Sequence, residues 1–217
     1  MDIKTKYSPN FSKKTRKNKD IKTIVLHYTG MQSEIASIKR LTNSNYKVSC
    51  HYLINRKGKI FKMVDESKIA WHAGKSKWKK FVNLNNNSVG IELVNRGHQF
   101  GYQTFSKKQI HVLIKLCLNL KKKYKIKNFN ILGHSDIAPH RKQDPGEKFP
   151  WKKLHNKGLG FWYKNTKLKF NSKKGEKQIT KLFFNNLFKI GYRYFDIKKR
   201  TKNDVNVVKA FQRRFLP

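Results

Sequence analysis

Apolar residues along this chain recur with two periods, and the breaks between them carry turn-forming residues. Ile24, Val25 and Leu26 stand together within Ile21–Thr29 instead of alternating with polar residues, which predicts a strand covered on both faces, with His27 at its C-terminal end. Ile35, Ile38 and Leu41 recur at helical spacing and predict a short helix over Ser33–Leu41. His51–Ile54 and Lys59–Met63 flank Asn55-Arg56-Lys57-Gly58, a hairpin with turn chemistry in its loop. Residues 65–87, rich in Trp, Gly, Lys and Asn, fit neither period and read as a long ordered loop of functional kind. In Val89–Asn95 the residues Val89, Ile91 and Leu93 face one way and Gly90, Glu92 and Val94 the other, so an apolar strand carries a carboxylate.

The clearest helix covers Ser106–Lys125. Ser106 and Gln109 form a capping-box pattern, and Ile110, Leu113, Ile114, Cys117 and Leu120 make one apolar stripe. Asn130–Gly133 is a short strand that delivers His134 at its end, as the first strand delivers His27. Ligands of α/β sheets gather beyond the carboxyl ends of strands, so the two histidines are expected at one crevice. The lysine-rich residues 1–20 lack periodicity and read as an extended basic lead-in. Asn171–Gly175 reads as a linker, and 176–217 as a small helical appendage with helices over Glu176–Lys189 and Asp204–Phe215.

Charge alters this picture. Lys and Arg number 51 against 12 Asp and Glu, a formal net charge of +39, so the surface attracts polyanions. Nucleic acid, anionic lipid and acidic wall polymer all qualify, but no recognition helix or stacking sheet accompanies the charge, and no specific nucleic acid is expected. Cys50 and Cys117 alone make neither a disulfide framework nor a cysteine-rich metal site and are expected as buried thiols. No apolar stretch of signal-peptide length precedes Lys22 and none later reaches membrane-spanning length, which points to the cytoplasm and to no membrane span.

The densest chemistry lies in Gly133–Gly146, where His134, Asp136, His140, Arg141, Lys142 and Asp144 crowd between two turn-forming ends. A catalytic zinc commonly takes three protein ligands and keeps one position open, and His27, His134 and Asp144 make such a set. Asp136 and His140 are rival ligands, with a turn cap and a solvated loop residue as their simpler readings. Glu92 on its apolar strand would have a raised pKa suited to taking up and returning a proton. Lys142, two positions before Asp144, would sit beside the attacked oxygen and stabilise an oxyanion.

Five blocks in order, Thr23–Thr29, Ser49–Ile54, Ala70-Trp71-His72-Ala73-Gly74, Leu84–Glu92 and Gly133–Pro139 through Asp144-Pro145-Gly146, resemble the zinc-dependent N-acetylmuramoyl-L-alanine amidases. Phe149-Pro150-Trp151 and the tail look most like the AmiD-like branch. The resemblance implies an α/β fold, a mixed central β-sheet flanked by helices with a small C-terminal helical appendage, and a catalytic domain over 21–165. It implies one zinc ion on His27, His134 and Asp144, with Glu92 as acid/base and Lys142 as oxyanion partner. It implies hydrolysis of the amide between N-acetylmuramic acid and L-alanine in peptidoglycan or muropeptides, by a monomer. His51, Trp71, His72 and Asn85 fall in blocks that look like the substrate groove, with packing as the alternative for Trp71 and His51. Asp204–Phe215 resembles one helix of a small peptidoglycan-binding domain, here truncated at Pro217. Relatives of this branch are usually exported, which makes the cell envelope the alternative compartment. A non-catalytic binding module of the same fold is the alternative function.

Overall fold

The computed structural model describes residues 2–163 and 175–217, and its elements are numbered in chain order. The linker expected at Asn171–Gly175 lies outside the described residues except for Gly175. Strands β1 (Ile3–Thr5) and β2 (Phe11–Thr15) precede the unbroken apolar run, which forms β3 (Thr23–Tyr28). Helix α1 (Glu34–Thr42) and the antiparallel hairpin β4 (Tyr52–Ile54) and β5 (Ile60–Lys62) stand where the periodicity puts them. Next come β6 (Lys68–Ala70), a hairpin of β7 (Lys77–Trp78) and β8 (Phe81–Val82), and β9 (Ser88–Leu93). Helix α2 (Lys107–Tyr124), β10 (Ile131–Gly133), α3 (His134–Ile137) and α4 (Trp151–His155) follow, then α5 (Glu176–Ile190) and α6 (Asp204–Phe215).

The main sheet is mixed, in the order β1-β5-β4-β9-β3-β10. Strands β4, β9, β3 and β10 run parallel at its centre, so their carboxyl ends open on one crevice. Side chains of β3 divide between two cores, as an unalternating run requires. Ile24 and Leu26 join the α2 stripe of Ile110, Leu113, Cys117 and Leu120 on one face, while Val25 joins residues of α5 and α6 on the other. Each fully buried side chain of that stripe contributes about 1.5–3 kcal/mol of burial. Leu53 and Val94 pack with Leu41 of α1 in a third cluster. The second face is thus covered by α1 at one flank and by α5 and α6 at the other, and the crevice lies between them.

Three expectations change. Residues 1–20 are extended but lie inside the domain: β1 pairs with β5 at the sheet edge, and β2 pairs with β6. Asn10 is buried because its Nδ2 donates to the carbonyls of Asn43 and Val48, both at 2.9 Å, partners that no local pattern reveals. Residues 65–87 contain β6, the β7–β8 hairpin and a 3-10 turn over Leu84–Asn87 rather than loop alone. Finally, Ser106 Oγ accepts from Gln109 N at 3.1 Å, but the reciprocal half of the capping box is absent. Gln109 Nε2 donates instead to Ile54 O at 2.9 Å and Val94 O at 3.2 Å, tying α2 to the sheet.

Candidate metal centre and its groove

Three strands deliver the polar side chains. His27 in β3 stands directly opposite Glu92 in β9 in the parallel register, and β10 ends where His134 begins α3. Asp144 arrives on the loop after α3, pinned by Ser135 N–H donating to Asp144 O at 2.9 Å. His27 Nδ1 lies 3.0 Å from His134 Nδ1 and 2.9 Å from Asp144 Oδ2, and His134 Nδ1 lies 3.1 Å from the same oxygen. All three residues are buried. Asp136 and His140, the rival ligands, lie outside this trio.

The remaining ring nitrogens have partners of their own, and these partners assign the tautomers. His134 Nε2–H donates to Ala73 O at 3.1 Å. His27 Nε2–H donates to His72 Nδ1 at 3.0 Å, His72 Nε2–H to Ser88 Oγ at 3.1 Å, and Ser88 Oγ–H to Leu84 O at 2.5 Å. Both Nδ1 atoms therefore turn lone pairs toward the Asp144 carboxylate, and three acceptors converge on one point. Their separations fall within a few tenths of an ångström of the about 3.3 Å expected between ligands of a tetrahedral zinc. The donor set fits a zinc ion, with the second imidazole nitrogens anchored as metal-binding histidines require. Gly90 makes room for the relay, since a Cβ there would stand 2.4 Å from His72 Cγ.

Electrostatics separates the two carboxylates. Burial, the largest influence on the Asp144 carboxyl, works to raise it, and a proton carried on the facing His134 or His27 imidazole works to lower it. Glu92 is pushed up to about 8, by burial first and by the Asp144 charge second, with the Lys142 ammonium opposing. Its Oε2 is buried with no hydrogen-bond partner among the described residues. Burial and the His134 ring beside it push His27 down to about 4, so the ring is neutral and free to bind a cation. Glu92, Lys142 and the ligand trio line one open groove of ≈ 720 Å³.

The sequence-predicted groove residues divide. His72 lines the groove, but both its nitrogens are engaged in the relay. His51 lies behind it: Nδ1 accepts from Gly90 N–H at 2.9 Å, and Nε2 faces Lys68 O at 3.2 Å. Asn85 Oδ1 accepts from His72 N at 3.1 Å and Ala73 N at 2.7 Å, which shapes the segment carrying the relay. Trp71 N–H donates to Ser49 Oγ at 2.9 Å, and neither Trp71 nor Asn85 belongs to the groove lining. Asp136 accepts from Gly133 N at 2.8 Å, Tyr192 OH at 2.6 Å and Arg214 Nη1. His140 is exposed against the Tyr194 ring. Arg141 Nη2 donates to Lys75 O at 2.8 Å and also to Ala73 O, the acceptor of His134 Nε2–H.

Sequence reasoning missed the rim. Tyr28 OH meets His98 Nδ1 at 2.8 Å, His98 Nε2 meets Glu147 Oε2 at 3.0 Å, and Tyr102 stacks on the His98 ring. Tyr28 follows His27 directly in the sequence, and a strand-end neighbour of a candidate metal ligand is the signal that would have found it. No helix among the described residues is long and apolar enough to cross a membrane.

A family model described as N-acetylmuramoyl-L-alanine amidase matches residues 17–147. The chain is 37% identical over 212 residues to N-acetylmuramoyl-L-alanine amidase AmiD of Escherichia coli strain K12, covering 91% of this chain and 75% of that one. Its fold is similar to the E. coli AmiD complex with the substrate anhydro-N-acetylmuramic acid-L-Ala-D-gamma-Glu-L-Lys, with a TM-score of 0.77 and 34% identity over 90% of this chain and 80% of the other. It is similar, too, to AmpDh3 from Pseudomonas aeruginosa in complex with anhydromuramic pentapeptide, with a TM-score of 0.79 and 31% identity over 96% of this chain and 88% of the other.

Proposed function

The chain belongs to the N-acetylmuramoyl-L-alanine amidase family, and from that premise we propose that it hydrolyses the amide between N-acetylmuramic acid and L-alanine of peptidoglycan or muropeptides at a zinc ion held by His27, His134 and Asp144. The observation that carries the reading is the pairing of three convergent acceptor atoms with a Glu92 Oε2 that has no hydrogen-bond partner among the described residues, in the same groove. His27, His134 and Asp144 would hold the zinc, whose chemistry there would be to lower the pKa of a bound water to about 7 and to polarise the scissile carbonyl.

The side chains of this chain do the rest. Glu92, in register with His27 and raised toward neutrality, takes the proton of the attacking water on Oε2 and returns it to the leaving L-alanine nitrogen. Lys142 brings its ammonium into the groove and stabilises the negative charge that develops on the carbonyl oxygen. His72 and Ala73 O keep the Nδ1 lone pairs of His27 and His134 free of protons. The relatives crystallised with anhydromuramyl peptides make those ligands the first to offer. The protein acts as a monomer on this reading. Zinc-loaded full-length protein, incubated with anhydro-muropeptides and with intact sacculi, should release L-alanine-terminated peptides detectable by mass spectrometry. Glycan binding without release from either substrate would instead mark a non-catalytic module of the same fold.

A further inference from the structure

Asp136 stands two residues after His134, and it is held from the far end of the chain. Arg214 on α6 is buried, and its Nη1 donates to Asp136 Oδ2 while its Nη2 reaches Ile131 O at 3.2 Å. Tyr192, in the connection between α5 and α6, donates its hydroxyl to Asp136 Oδ1 at 2.6 Å and is fully buried. One guanidinium thus grips the chain on both sides of His134, at the strand that leads into it and the helix that it begins. Asp136 Oδ2 also accepts Gly133 N–H at 2.8 Å, closing the first turn of α3 around the ligand. The guanidinium lies over the Trp151 ring at 4.0 Å, and a Cβ on Gly133 would stand 3.2 Å from that same ring.

The inner faces of α5 and α6 are committed to this arrangement. Phe184, Leu187, Val207, Ala210 and Phe215 share one core with Leu132, Ile137 and Ala138, which flank His134 in sequence. Without Arg214 the buried Asp136 carboxylate would lose its cation, and removing one partner of a buried ion pair is strongly destabilising. That cost would fall on the turn that begins with His134.

We infer that the two C-terminal helices serve as a clamp on the metal-bearing turn, with Arg214 and Tyr192 as positioning residues that act through Asp136. The segment that resembles part of a glycan-binding domain therefore has an internal duty in this chain. The inference rests on the zinc reading of His27, His134 and Asp144, and the experiment separates the two.

Zinc affinity of the full chain is measured by competition with a chromophoric chelator, alongside circular dichroism of each variant. Arg214→Met should bind zinc about tenfold or more weakly, the range found when partners of metal ligands are removed. Arg214→Lys should restore part of the loss, since it returns the charge without the planar fork. Tyr192→Phe should bind zinc more weakly than wild type but lose less than Arg214→Met does, and Lys209→Met, which removes an exposed charge on α6, should bind as wild type does. An Arg214→Met protein with native circular dichroism and wild-type affinity overturns the clamp. Should that variant fail to fold, Tyr192→Phe decides: weakened binding supports the clamp and wild-type binding overturns it. Wild-type protein that holds no zinc overturns the metal reading and the clamp together, whereas unchanged variants beside a zinc-binding wild type overturn the clamp alone.

Discussion

Replacing Glu92 with Gln should reverse a pH-dependent weakness of the metal-free protein. The Glu92 carboxyl titrates near 4.5 in an open chain and near about 8 in the folded one, because burial and the Asp144 charge oppose its ionisation. A group raised by folding gives its full contribution below the unfolded value and loses it as the pH climbs to the folded value. Wild type therefore weakens between pH 4.5 and 8. At about 1.4 kcal/mol per pH unit, about 1 kcal/mol is lost by pH 5 and roughly 4 kcal/mol by pH 8, where the folded carboxyl is half ionised. Gln has nearly the same shape and no charge to bury, so its curve lacks this slope. Urea unfolding of both proteins in chelator at pH 5 and pH 8 gives a double difference in which titrating groups distant from Glu92 cancel. The expected value is about 3–4 kcal/mol in favour of the variant at the higher pH. A double difference under about 1 kcal/mol would mean that Glu92 ionises freely in the fold, and its assignment as the proton carrier would go with it. In zinc-loaded protein the same variant should lose about 10²–10⁴ in kcat, the usual share of a general acid–base.

Three further outcomes follow from the geometry. Gly90→Ala drives a Cβ into the His72 ring, so it should cost about 1–3 kcal/mol of stability in denaturant unfolding and weaken zinc binding about tenfold by disturbing His27. Lys142→Ala should cut kcat on an anhydro-muropeptide by about 10²–10³ while zinc content by elemental analysis stays the same. Stripping zinc with a chelator should abolish amide cleavage and lower Tm, and at free zinc near 1,000 times Kd the regained stability should be about 4 kcal/mol.

The central parallel strands, the β4–β5 hairpin and α2 were legible because each declares itself within ten or so residues. The same holds for Glu92, which alternation sets opposite Val89, Ile91 and Leu93, and for His27 and His134, which stand at and just beyond the carboxyl ends of short apolar strands. What the pattern concealed depends on partners far away in the chain. Asn10 looks like any polar lead-in residue until the segment after α1 offers the carbonyls of Asn43 and Val48. Gln109 looks like half of a cap until Ile54 and Val94 compete for its amide. Among the four residues read as groove contacts, His51 and Asn85 turn out to spend their side chains on backbone groups of β9 and of the segment carrying His72. Asp136 was a plausible ligand by position, and only the arrival of Tyr192 and Arg214 shows where its oxygens go.

The opposition of His27 and Glu92 across two hydrogen-bonded strands has a wider consequence. Their spacing is set by the inter-strand repeat of about 4.8 Å, a dimension of the peptide backbone and independent of side-chain identity elsewhere. Chemistry registered in this way is insulated from drift of the exterior. Surface residues can be exchanged for lysine, of which this strongly basic chain has many, while the distance between His27 and Glu92 stays where the sheet put it.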